Sequence, residues 1–210
     1  MIRAMRNNGA ILALAALLST GLVAVTNTLT KDTIAEQERI QLLQVLNQVI
    51  PADLHDNALA KQCTLVRNAS LGTDAPMPVY IATKEGKTTA LAIEAIAPDG
   101  YNGAIKVLVG IDANNTVLGV RVLKHAETPG LGDKIDLNIS DWILSLSDKT
   151  VESADDKRWA VYKDGGQFDQ FTGATITPRA VVSAARSAAW YAMQNIDTIT
   201  RQPLNCGDAS

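Results

Sequence analysis

AIKVLVGIDANNTVLGVRVLK, residues 104–124, decides the fold. Ile105, Val107, Val109 and Ile111 alternate along its first half, and Val117, Val120 and Val122 recur along its second. β-Branched residues at period two predict strands with one buried face. The polar connection Asp112-Ala113-Asn114-Asn115 makes the two runs, 104–111 and 116–124, an antiparallel pair. Upstream, residues 80–84 and 88–97 read as a second pair around Glu85-Gly86-Lys87, with Gly86 supplying the turn. Downstream, 139–146 reads as a short apolar helix holding Trp142, and 158–163 as a strand leading into Asp164-Gly165-Gly166. From Arg179 to Asn195, the residues Val182, Ala185, Ala189 and Met193 recur at helical spacing. Strand pairs grouped in sequence, with helices at the ends, predict an α+β fold: an antiparallel sheet flanked by helices. No Gly-x-Gly-x-x-Gly follows a strand, which excludes a Rossmann dinucleotide site.

The front of the chain is of another kind. Residues 11–29 carry no charge, and a run of about twenty such residues spans a hydrocarbon core. Arg3 and Arg6 precede it and mark the cytoplasmic flank by the positive-inside rule. The expected organisation is a cytoplasmic terminus (1–8), one transmembrane helix (9–30), a helical and irregular connecting region (31–75) and a periplasmic domain (76–210). That is a single-pass protein of the bacterial inner membrane. A cleaved signal peptide is the competing reading, but Ala24-Val25-Thr26 is a poor cleavage site and the apolar run is long, so an uncleaved anchor is expected. Ile34, Ile40, Leu43, Leu46 and Ile50 continue at helical spacing up to Pro51. Residues 52–75 read as polar and irregular.

Of 19 basic residues, removing Arg3 and Arg6 leaves 17 against 22 acidic ones outside the membrane, which excludes nucleic acid as a partner. Cys63 and Cys206 fit an oxidising compartment, where they can pair or stay apart. Without Cys-x-x-Cys there is no iron–sulfur ligand set, and His55 and His125 lack ligand spacing, so no metal site is expected.

Three short stretches carry chemistry. Asp169-Gln-Phe-Thr172-Gly173-Ala174-Thr175-Ile-Thr177 feeds the predicted helix, with Thr177 as N-cap and Pro178 at the first helical position. A hydroxyl on a small-residue loop at a helix mouth is well placed to hold a phosphate, since the free N–H groups and dipole there favour an anion. An ordinary helix entry is the plainer reading. In Glu127-Thr128-Pro129-Gly130-Leu131-Gly132 the glycines allow close approach of backbone to a ligand. Leu131 offers an apolar face there and Thr128 a hydroxyl; the plainer reading is a surface turn. Gly100-Tyr101-Asn102-Gly103 precedes the third strand, with Tyr101 either part of a site or a half-buried anchor.

The pattern Asp169-x-x-Thr172-Gly173-Ala174-Thr175 resembles the flavinylation motif of the bacterial FMN-binding domain family. The loop 127–132 and the Gly-Tyr-x-Gly at 100–103 resemble further features of that family in the same order. The resemblance implies that a flavin transferase takes FMN from FAD and esterifies its phosphate onto Thr175. Asp169, Thr172, Gly173, Ala174 and Thr177 would serve recognition and room, while Glu127, Thr128, Gly130 and Leu131 would lie against the flavin. Within the family, the size and the wording of the threonine motif are closest to members serving ion-translocating electron-transport complexes of the Rnf type, which link NADH and ferredoxin-like carriers. The partners implied are the other membrane subunits of such a complex, the flavin transferase and the inner membrane. A sodium-pumping NADH:quinone reductase subunit of the NqrC kind is the near alternative; a non-redox scaffold or a regulatory flavoprotein are the others. The chain holds no catalytic dyad or triad, so the expectation is an electron carrier within an assembly rather than an independent enzyme.

Overall fold

A computed structural model describes residues 2–206 and divides the chain into two compact units, Met1–Leu42 and Leu43–Ser210. Helix α1 (Ile2–Val49) supplies the first unit and contributes its last turns to the second. Within it, Arg6–Lys31 is 26 residues of helix, long and apolar enough to cross a membrane. At 1.5 Å per residue it exceeds the roughly 30 Å of a hydrocarbon core. The hydroxyls of Ser19, Thr26 and Thr28 donate to carbonyls three or four residues back, so these polar side chains are satisfied inside the helix itself.

The second unit is built on a six-stranded antiparallel sheet in the order β1-β2-β3-β4-β5-β6. Its strands are β1 (Cys63–Asn68), β2 (Thr73–Lys84), β3 (Lys87–Ala97), β4 (Ile105–Asp112), β5 (Thr116–Lys124) and the two-residue β6 (Lys149–Thr150). Both expected hairpins are present. The β2–β3 turn has φ of 52° at Glu85 and 75° at Gly86, the positive pair that matches a tight hairpin to strand twist. In β5 the apolar spacing from Val117 to Val120 breaks period two by one residue. The register shifts between Gly110 and Ile111 at that place, and the bulge returns Val117, Val120 and Val122 to the core face.

Helix α2 (Ile176–Thr200) covers one face of the sheet, packing on β3 and β4. Val181, Val182, Ala185, Ala188, Ala189 and Ala192 are buried there with Leu91, Ile93, Val107 and Val109. The opposite face receives the end of α1. Gly110 and Gly119 pair across β4 and β5, and a Cβ on Gly119 would lie 3.3 Å from Val49 Cα. This glycine notch seats Val49, which is fully buried, as are Leu46 and Ile50. Also on this face, buried Glu94 accepts a hydrogen bond from Tyr80 (3.2 Å) and pairs with Lys106 (2.5 Å). Burial, and then the neighbouring Glu94, push the Tyr80 hydroxyl above its ordinary range.

Three expectations change. The stretch 52–75 is not wholly irregular, since it holds β1 and the start of β2. Pro76 and Pro78 obscure β2 in sequence, yet they precede Val79, where pairing with β3 begins, so no ladder donor is missing on that side. Residues 158–163 form no strand; a single Val161–Phe168 bridge and a 3-10 turn at Tyr162–Asp164 stand there. The buried Asp156 carboxyl accepts from the Glu152 and Arg158 N–H groups and from the Arg158 guanidinium, which fixes a loop instead. The 139–146 segment is helical, but as a 3-10 helix at Asp141–Leu146.

Cys63 and Cys206 form a disulfide with their Cα atoms 5.3 Å apart. It holds the carboxyl-terminal tail along edge strand β1. Asn205 N–H donates to the Cys63 carbonyl and its side chain accepts from Leu65 N–H, so backbone groups of the open edge are satisfied.

Candidate functional site

The threonine motif folds as a turn held at its flanks. Ala174 N–H donates to the Phe171 carbonyl (3.1 Å), and Gly173 has φ of 82°, the conformation a tight turn demands of its third residue. Phe171 is buried and meets Trp142 edge-on at 5.1 Å, with Lys134 Nζ 6.0 Å from the ring centre. Trp142 Nε1 donates to the Asp169 carbonyl (2.8 Å). Aromatic packing therefore fixes the backbone on both sides of Thr172, while the Asp169 and Thr172 side chains stay exposed.

Thr175, not Thr177, stands at the N-cap of α2. The helix begins at Ile176, and Pro178 is its third residue rather than its first. The Thr175 hydroxyl makes no capping hydrogen bond, and its backbone is already helical (φ −79°, ψ −19°). Thr177 is buried and turns its hydroxyl away from the helix end, donating to Glu127 Oε2 at 2.6 Å. A buried acid without donors costs more than an uncapped helix end, so this long-range bond takes the hydroxyl.

Glu127 joins three segments. Its Oε1 accepts from Asn102 N–H (3.2 Å) in the loop before β4, and its Oε2 accepts from Thr177. Gly132 passes so close that a Cβ there would lie 2.7 Å from Glu127 Oε2 and 2.8 Å from Thr177 Oγ1. Both Glu127 oxygens thus serve protein donors, which makes the residue a brace. The loop 127–132 is itself a tight turn, with the Leu131 and Gly132 N–H groups donating to the Thr128 carbonyl at 3.1 Å and Gly130 at φ 78°. Leu131 stays 42% exposed, yet its Cδ2 would lie 3.6 Å from a Cβ on Gly173. The two motif loops therefore touch.

Between them lies a cavity of about 240 Å³. Gly173, Ala174, Thr175 and Thr177 form its helix side; Glu127, Thr128, Leu131 and Gly132 form the facing loop. The structure brings these sequence candidates together and leaves Asp169, Thr172 and Gly130 outside the lining. Tyr101 and Ile176 also line it, 67% and 44% exposed. Of the two readings open for Tyr101, the structure favours a place in the site over a half-buried anchor, and Ile176 is an addition to the sequence candidates. An aromatic between two glycines was the available signal for Tyr101; Ile176 offered none.

Chemically, the cavity offers a free hydroxyl at the positive end of a 25-residue helix, an apolar wall and a second hydroxyl at Thr128. An anion esterified at Thr175 and a planar apolar ring against Leu131 fit this arrangement. Nearby, Arg179 is engaged by Asp164, with Nη2 to Oδ1 at 2.8 Å, which holds the Asp164 carboxyl below its ordinary range. Two other hollows, one beside Gly72, Ile96 and Ser183 and one beside Asn114 and Trp190, are lined by no residue of the three motif stretches.

Residues 100–189 match the FMN-binding domain family, and residues 1–49 match the RnfG N-terminal region. Among curated relatives, the G subunit of the ion-translocating oxidoreductase complex of Vibrio atlanticus is 62% identical over 207 residues, 99% of both chains. The protein of the same name from Vibrio vulnificus is 58% identical over 99% of this chain and 98% of its own. That from Shewanella baltica is 59% identical over 96% of each.

Proposed function

The chain belongs to the RnfG family of ion-translocating oxidoreductase complex subunits, and from that premise we propose that it is the electron-transferring flavoprotein subunit of such a complex, carrying FMN as a phosphoester on Thr175. The observation that carries the reading is the Thr175 hydroxyl, which caps nothing although it stands at the first turn of α2 and faces the 240 Å³ cavity. A phosphodiester there keeps one negative charge, and the unpaired N–H groups and dipole of the helix end stabilise such a charge by about 0.3–1 kcal/mol.

FMN, when bound, supplies reversible uptake of electrons; the protein supplies attachment, orientation and surroundings. Thr175 holds the phosphate end. Leu131 and Thr128 face the ring system, one with apolar surface and the other with a hydroxyl. Glu127 keeps that loop in register with α2 through Thr177 and does not need to touch the cofactor. The exposed Asp169 and Thr172 lie outside the cavity, where an incoming flavin transferase can read them. A covalent tether suits a compartment in which a dissociated flavin would not be replaced.

The uncharged run 7–30 of this helix, with Arg3 and Arg6 before it, supports a single inner-membrane anchor, a periplasmic domain, and contact with other membrane subunits of the complex. The test is co-expression with the flavin transferase followed by a denaturing gel. Thr172→Ala should keep or only slow the attachment, whereas Thr175→Ala should abolish gel fluorescence; fluorescence persisting in Thr175→Ala would overturn the assignment.

A further inference from the structure

The cavity is small for what it is proposed to hold. Pockets that enclose a small-molecule ligand measure about 300–1,000 Å³, and this one measures about 240 Å³. A tricyclic ring entering it must therefore extend past the mouth, and Tyr101 is the aromatic side chain there.

The backbone around Tyr101 is fixed, although its side chain is open to solvent. Asn102 donates from its N–H to Glu127 Oε1 (3.2 Å) and from Nδ2 to the Ala126 carbonyl (2.6 Å). Gly103 takes φ of 106°, which disfavours a side chain there, and a Cβ at Gly100 would lie 2.9 Å from both Glu127 Oε1 and Ile105 Cγ1. Ile105 is fully buried at the start of β4. One carboxyl group thus braces the loop carrying Tyr101 and, through Thr177, the helix end carrying Thr175. A large aromatic side chain left 67% exposed on so constrained a loop is held for a ligand, because packing within the domain does not account for it.

We infer that Tyr101 is a cofactor-binding residue whose ring packs on the part of the flavin that the cavity between Leu131 and Thr175 leaves uncovered. This rests on the flavin reading of that cavity. It divides the labour of the site: Thr175 fixes the phosphate, Leu131 the inner part of the ring, and Tyr101 the outer part.

The experiment uses the full chain co-expressed with the flavin transferase, as wild type, Tyr101→Phe and Tyr101→Ala. A phenol in contact with an excited flavin quenches its emission, and a phenyl ring does so far less. Tyr101→Phe should therefore raise native flavin fluorescence several-fold while keeping the wild-type absorption band. Tyr101→Ala should raise the fluorescence and shift the band. After denaturation all three should emit equally, showing equal flavin content. A purely structural role would not separate the Phe and Ala variants in this way. If Tyr101→Ala fails to fold, the Phe variant decides alone. Native fluorescence in Tyr101→Phe equal to wild type overturns the inference, as does a Tyr101→Ala protein that keeps its flavin properties and is lost only from the assembled complex. Should wild type carry no covalent flavin, the Thr175 reading fails by itself. Free FMN titrated into Thr175→Ala would then still test Tyr101: adding Tyr101→Ala should weaken binding about tenfold, a change equal to about 1.4 kcal/mol. Equal affinity, or no binding at all, overturns it.

Discussion

Thr177→Val removes one oxygen from the joint that holds the cavity together and changes little else. The two side chains are nearly isosteric, so packing of the buried position is kept. What is lost is the 2.6 Å donation to Glu127 Oε2, between two partners that are both buried. An acceptor left buried without its donor costs about 1–3 kcal/mol. For a folded unit of this size each kcal/mol lowers Tm by roughly 2–4 °C, so the expected fall is about 2–12 °C. The assay is thermal unfolding of the full chain in detergent, followed by circular dichroism. Because the loop 127–132 also loses its tie to α2, the flavin band of the loaded protein should broaden or shift as well. A double-mutant cycle with Glu127→Gln isolates the pair, and a coupling energy above about 0.5 kcal/mol is expected for groups in contact. An unchanged Tm in Thr177→Val, or strictly additive effects in the cycle, would refute the brace.

Replacing Cys63 and Cys206 together with serine should destabilise the second unit by about 2–5 kcal/mol, because the bond closes a loop across 143 positions. The same change should loosen the tail from β1, read as faster amide exchange at Leu65, and equal exchange would count against the edge-covering role. Asp156 has a carboxyl held well below its ordinary range, first by the Arg158 hydrogen bond and then by backbone donors. Its folded value lies under the unfolded value of about 3.9, so its stabilising contribution is complete above that pH and fades as pH falls through the lower, folded value. The Tm gap between wild type and Asp156→Asn should accordingly narrow from pH 7 to pH 3; a constant gap would show that the clamp does not act through ionisation.

Much of this architecture is legible in the chain because it rests on local rules. Glu85-Gly86 announces its hairpin, since few residue pairs accept two positive φ angles. Residues 104–124 announce theirs by β-branched alternation, although the bulge between Val117 and Val120 shows only in the register of the folded pair. Edge strand β1 is not legible, because six residues interrupted by a register shift and completed by a tail near the end of the chain carry no periodic signal. Residues 158–163 mislead because Trp159 and Val161 are apolar at strand spacing, while Asp156, just outside the run, captures the backbone as a loop. The site shows the same division. Both motif loops stand out by their glycines and threonines. That the Thr177 hydroxyl serves a carboxyl fifty residues upstream, leaving Thr175 free, depends on contacts between distant segments. Tyr101 enters the cavity through the same carboxyl, and no spacing rule links residues 101, 127 and 177.

The roles given to Leu131, Thr128 and Tyr101 presuppose a flavin in the cavity, and the account's central claim is that Thr175 carries it. The decisive measurement is the intact mass of the native chain co-expressed with its flavin transferase, followed by fragmentation of the peptide spanning residues 164–179. The expected result is a gain of one FMN less one water, retained on fragments that contain Thr175 and absent from those that end at Thr172. An unmodified mass, or the same gain mapped to Thr172, would contradict it.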